Sequence, residues 1–224
     1  MARGVRWPGG TRIRGAALAA LPILLSGCWY SLSISIVSGG GTDPFVISSG
    51  SDPALDGDVR DDGAVATSGA IFAGFDSAAP APRPEYRGFL SFDILSVPPG
   101  ALVESATVTL TADRVDLLPG SAEAILDFDS VDYDGRLSFP AFGAPGTPVR
   151  STAAGVRVVG SRAVAIDVTP EVQAAADLGR TRFQLRVLCS GGLALLVDGA
   201  GGARGAASSG SRPCADPHGE VPVR

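Results

Sequence analysis

The side chains able to do chemistry are few: three cysteines, one histidine and two runs of aspartate. Asp127, Asp129, Asp132 and Asp134, closed by Gly135, form one run. Asp56, Asp58, Asp61 and Asp62, interleaved with Gly57 and Gly63, form the other. Calcium takes about six to eight oxygens, largely carboxylates and carbonyls of a loop, so each run is a candidate structural calcium site. Neither has the EF-hand order, because Val131 stands at the fifth place counted from Asp127. On an alternating strand Asp127 and Asp129 share a face, and Asp132 and Asp134 share one beyond the break. The competing reading is solvated turn acids on an acidic protein. Tyr133, flanked by Asp132 and Asp134, is the one mid-domain place where an aromatic face meets carboxylates. A sugar, with apolar C–H faces ringed by hydroxyls, is bound by such a combination. The alternative is a turn tyrosine packed over a sheet edge.

Catalytic constellations are missing. The one histidine, His218, stands in the C-terminal tail, where a Ser-His-Asp triad has to recruit it from afar. No Gly-x-Ser-x-Gly, no His-Glu-x-x-His and no phosphate loop occurs. Carboxylates are numerous enough for a glycosidase, yet a sugar cleft carries several aromatics and most of the nine phenylalanines sit at strand positions. The chain therefore reads as non-catalytic and without a cofactor, with a hydrolase as the disfavoured alternative.

Cys28 belongs to a different chemistry. Four arginines (Arg3, Arg6, Arg12, Arg14) and no acid precede an apolar run at 16–25, about ten residues, too short to span a bilayer. That is the layout of a secretory signal. Its end, Leu25-Ser26-Gly27-Cys28, resembles the lipobox of bacterial lipoproteins. The resemblance implies cleavage before Cys28, acylation of its thiol, and attachment to the cell envelope through the lipid. Trp29 stands where some diderm bacteria place an inner-membrane retention aspartate, so the outer membrane is favoured if there is one. Without residues 1–27 the chain keeps 14 arginines against 23 acids, a net of −9. An acidic body excludes affinity built on phosphate neutralisation, hence nucleic acid, and electrostatic adhesion to anionic lipid. The acyl chains hold such a protein at the membrane.

Cys189 and Cys214 remain, an even pair for an oxidising compartment, separated by a Gly-, Ala- and Ser-rich stretch. A disulfide is expected; the alternative is a buried Cys189 within a strand and a free Cys214 in a frayed tail. The organisation is then a signal at 1–27, a flexible lipid-anchored tether at 28–50, a globular domain at 51–198 and a tail at 199–224. One piece resists the tether reading: Ser31-Leu32-Ser33-Ile34-Ser35-Ile36 alternates with period 2, a strand signal.

Those side chains must be positioned by strands. Alternation predicts about eight, at 65–72, 86–94, 102–112, 122–128, 155–159, 162–168, 183–189 and 193–197, with Ser190-Gly191-Gly192 as a hairpin turn. One helix is expected near 170–178, with Thr169 as N-cap, Pro170 at its first position, Glu171 on the positive end of the dipole and Gly179 as its stop. The fold class is all-β, an antiparallel two-sheet β-sandwich of jelly-roll type with one short helix. Phe92, Val108, Leu110, Phe183, Leu185 and Val187 are the expected core.

The stretch at 86–110 resembles the first half of DNRLRE-type domains, jelly-roll modules of bacterial surface proteins related to carbohydrate-binding modules. Arg87, Phe92, Asp93, Pro99, Gly100, Ala101, Ser105 and Ala106 carry the resemblance. Ile166-Asp167-Val168-Thr169 with Val172-Gln173 extends it, over roughly residues 55–198. It implies a display or binding module whose partner is a glycan or a surface protein.

Overall fold

A computed structural model describes residues 30–37, 45–67, 70–98, 100–133 and 135–198. The strands are Ser31–Val37 (β1), Phe45–Gly50 (β2), Gly57–Arg60 (β3), Val65–Ala66 (β4), Ile71–Phe75 (β5), Glu85–Asp93 (β6), Leu102–Leu117 (β7), Ala124–Val131 (β8), Gly146–Pro148 (β9), Val156–Val158 (β10), Arg162–Asp167 (β11), Arg182–Ser190 (β12) and Gly192–Asp198 (β13). Thr169–Asp177 is the helix α1, and Phe139–Gly143 forms a 3-10 turn. Every ladder is antiparallel. No helix among the described residues is long and apolar enough to cross a membrane.

The molecule is an all-β sandwich. One layer runs β10-β8-β12-β6, with β3 and β9 beside it; the other runs β5-β13-β7-β1-β2, with β11 on β7. The layers join through a short ladder, Gly74 with Tyr86 and Phe75 with Glu85, and through an isolated bridge between Ser51, just after β2, and Phe92 of β6; the sheet does not close into a barrel. Alternation explains the core. Ala106, Val108, Leu110 and Ala112 of β7 face inward, toward Leu90 and Phe92 of β6 and Phe183, Leu185 and Val187 of β12, in one buried cluster. All six expected core residues are buried.

Three expectations need correction. The segment at 28–50 is not simply a tether: β1 pairs with β2 on one side and β7 on the other. Leu32, Ile34 and Ile36 are fully buried, and a tether would leave those three side chains in water. Their period-2 spacing outweighs the Gly-rich composition around them. Ser190-Gly191-Gly192 is not a hairpin. β12 pairs with β6 and β8, whereas β13 pairs with β5 and β7, so the turn carries the chain between layers. Gly74 permits that crossing: at φ +112, a Cβ there would lie 2.1 Å from the Gly192 carbonyl oxygen. Finally, Thr169 is the first helical residue rather than the cap. Asp167 does the capping: its Oδ1 accepts from the Thr169 N–H at 2.9 Å and from the Thr169 hydroxyl at 2.5 Å. These bonds hold the Asp167 carboxyl below its ordinary range. The Thr169 hydroxyl in turn accepts from the Ala106 N–H at 2.9 Å, and Gln173 bridges Val103 and Ala101, fastening α1 to β7.

β6 breaks the alternation because it is buried on both faces. Phe89, pointing away from the main core, meets Val59, Val131, Tyr133, Leu137 and Ala141 in a second, smaller cluster. The segment after β8 folds back over the sheet to build it.

Candidate functional site

The first acidic run is dispersed among arginines and strand positions. Asp127 and Asp129 share the outer face of β8, as alternation requires. Asp129 binds Arg186 on β12 at 2.6 Å, with the two side chains only 13% and 9% exposed, and Arg186 also donates to the Ala144 carbonyl at 2.6 Å. Burial, then the neighbouring Asp129, raises the Asp127 carboxyl above its ordinary range. Asp132 is exposed and pairs with Arg180 at 3.1 Å. Asp134 lies outside the described residues.

The second run splits between interior and surface. Asp56 and Asp58 are buried and accept backbone N–H bonds, Asp56 from Ser91 at 2.8 Å and Asp58 from Phe72 at 3.2 Å. Burial pushes Asp56 up to about 7, against the pull of Ser51, the Ser91 amide and Arg182. Asp62 is at the surface, paired with Arg60, and that contact lowers it to about 2. Among the described residues, no three His, Cys, Asp or Glu side chains gather as a metal centre. The aspartates do not converge: Asp129 is held by Arg186 and Asp132 by Arg180, Asp56 and Asp58 each accept a backbone donor, and Asp62 stands in the turn beyond β3.

Tyr133 is not a platform. It is 7% exposed, its hydroxyl donates to the Leu55 carbonyl at 3.2 Å, and its ring meets Phe89 edge-on at 5.4 Å. Its N–H donates to Gln184 Oε1 at 2.9 Å. Burial pushes its phenol up, so it stays neutral. The structure places it in the smaller core, with Asp132 turned outward beside it.

The surface aromatic stands six residues further on. Phe139 is 48% exposed and stacks on Phe142 at 6.2 Å and 25°. The Arg87 guanidinium lies 3.9 Å from the Phe142 ring centroid, donates to the Phe142 carbonyl and pairs with Glu85 at 2.7 Å. A fixed aromatic face thus lies beside a cation and a carboxylate. The sequence reading singles out neither Phe139 nor Phe142. Their signal is the pair of rings three residues apart around Pro140 in a segment without alternation, where a ring has no sheet face to enter.

A cleft of about 330 Å³ opens between α1 and the end of β8. Glu171, Ala174, Ala175 and Leu178 line it from one helix face, opposite Val131 and Thr147. Glu171 Oε1 accepts from the Arg150 N–H at 3.1 Å; its Oε2 is buried without a hydrogen-bond partner among the described residues. No aromatic ring lines this cleft.

Cys189 is buried on the inward face of β12, and burial pushes its thiol up to about 12, leaving it protonated at neutral pH. Its expected partner Cys214, the lipidation residue Cys28 and His218 lie outside the described residues. No protein-family model matches the chain, and no curated protein matches it.

Proposed function

We propose that this protein is a lipid-anchored, non-catalytic binding or display module of the cell envelope. The observation that carries the reading is Leu25-Ser26-Gly27-Cys28, placed immediately ahead of a β-sandwich whose first described residue, Tyr30, is already buried. A signal, a lipid-accepting cysteine and a compact body then follow one another without a gap. The acids support a structural rather than a catalytic role: Asp56, Asp58 and Asp129 are held by backbone amides and Arg186. Replacing Cys28 by serine is expected to abolish lipid incorporation and leave an uncleaved or soluble form, read by intact mass and detergent partitioning. Unchanged partitioning of that variant overturns the anchor.

A second reading, a carbohydrate-binding module, is favoured by Phe139. Rings that stack on sugar faces must be exposed and held still, and Phe139 is half-exposed and backed by Phe142 and Arg87. The soluble chain from Trp29, without the lipid-accepting cysteine, is the form to place on a glycan array, since a fragment starting at residue 51 lacks β1 and β2. Phe139→Ala is expected to reduce glycan binding at least tenfold with the fold intact. Binding that survives the change removes this site, and no binding to any glycan leaves a protein partner as the ligand.

A further inference from the structure

We infer that the sandwich is held flush on the lipid surface by one fixed place on its body, the junction where β1 begins and β13 ends. The inference rests on the acylation of Cys28 proposed above. β7 has two edges. Its residues Thr107–Thr109 pair with both β1 and β11, and Leu110–Ala112 pair with both β11 and β13. β1 and β13 therefore occupy the same edge of β7, end to end, with Ser31 opposite Thr109 and Asp198 opposite Leu110. Tyr30 locks the junction. It is fully buried, its hydroxyl donates to the Leu196 carbonyl at 2.8 Å, and its own carbonyl accepts from the Ser51 N–H at 2.8 Å.

Only Trp29 separates Tyr30 from Cys28. Two residues reach about 7 Å at full extension. A coil of the length 28–50 would instead reach about 25 Å. Acyl chains in the bilayer thus bring the junction to the headgroups. An indole at this position meets the interface, where tryptophan is favoured for its apolar ring and polar N–H. The body is acidic, so charge does not pull any other flank onto anionic lipid. The ion pair nearest the junction in the chain, Asp52 with Arg182 at 2.7 Å, is internally neutralised and does not oppose the approach. β10 is the edge strand at the far end of the opposite layer, the strand furthest from the junction in the sheet order.

The test uses the acylated full-length mature protein in nanodiscs containing nitroxide-headgroup lipid, read by amide NMR. The amides of Ser31, Gly50 and Val197 are expected to lose more than half their intensity, and those of Val156 and Val158 to keep it. Inserting twelve Gly/Ser residues between Cys28 and Trp29 is expected to erase the difference. Trp29, the one tryptophan left after cleavage because Trp7 departs with the signal, is expected to be quenched by brominated lipid in both proteins. An acylated chain with equal broadening of both sets, or a pattern unchanged by the spacer, overturns the fixed pose. A mature chain whose mass lacks acyl groups overturns the anchor itself, and the pose with it.

Discussion

Phe183→Ala and Phe92→Ala are each expected to destabilise the protein by about 3–5 kcal/mol. The two rings are cross-strand partners on β6 and β12, stacked 6.4 Å apart at 23°, and at most 1% exposed. Truncating either removes its transfer free energy and leaves a hole that a sandwich cannot collapse around, because ladders on both sides pin the two strands. β12 is pinned by β6 and β8 together. A domain of this size is stable by about 5–15 kcal/mol, so either loss is a large fraction of the total. Midpoints of urea unfolding at constant slope read the effect, with a fall of about 6–20 °C in melting temperature alongside. The double variant is expected to lose less than the sum of the singles, since each ring is part of the other's packing. Unmoved midpoints in both singles mean that the inward face of the pleat is misassigned.

The main core was legible because β7 and β12 alternate, and alternation is what a half-buried strand physically requires. Leu110 and Val187 could be placed inward from spacing alone. β6 was only half legible. Phe92 obeys the period, while Phe89, on the opposite face, is buried by a segment more than forty residues away in sequence. No local pattern announces a fold-back of that kind. The same fold-back takes Tyr133 out of solvent and leaves Phe139 in it, so the exposed ring stands six residues beyond the tyrosine that the acidic flanks mark in the sequence. β1 shows a different failure. Its own alternation was sound, but its glycine-rich surroundings are the composition of a linker, and composition cannot say whether a partner edge such as β7 is available. Ser190-Gly191-Gly192 has hairpin chemistry; its crossing between layers depends on the room at Gly74, which is more than one hundred residues distant. The acids were found as two clusters by proximity in sequence. They separate in space because the elements end between them: Asp58 lies on β3, where its side chain is buried, and Asp62 lies in the turn beyond it and meets water.

Asp56 is expected to make the protein less stable as pH rises from about 4 to 7, the reverse of the usual behaviour of a paired carboxylate. Burial raises its carboxyl to about 7, and Asp52 adds to the rise; Ser51, the Ser91 amide and Arg182 oppose it. Tyr133, also close to Asp56, is pushed up by the same burial and carries no charge in this range. The unfolded chain releases the Asp56 proton near pH 3.9, while the folded chain keeps it until about 7. Between those limits the native state binds one proton more than the unfolded state, so unfolding stability falls as pH rises. Roughly three pK units at about 1.4 kcal/mol each set the total at about 4 kcal/mol, fully lost above pH 7. Asp58, raised by burial as well, adds in the same direction. Asp56→Asn removes the charge and keeps the acceptor for the Ser91 N–H, so the variant is expected to match the parent near pH 4 and exceed it at pH 8. Asp58→Asn serves as the comparison that separates the two contributions. Urea unfolding of all three proteins at pH 4.5, 6 and 8 decides it. A parent whose midpoint is flat across that range, or an Asp56→Asn variant that is no more stable at pH 8, means that Asp56 is ionised in the folded protein. Its Ser91 and Arg182 contacts would then outweigh its burial.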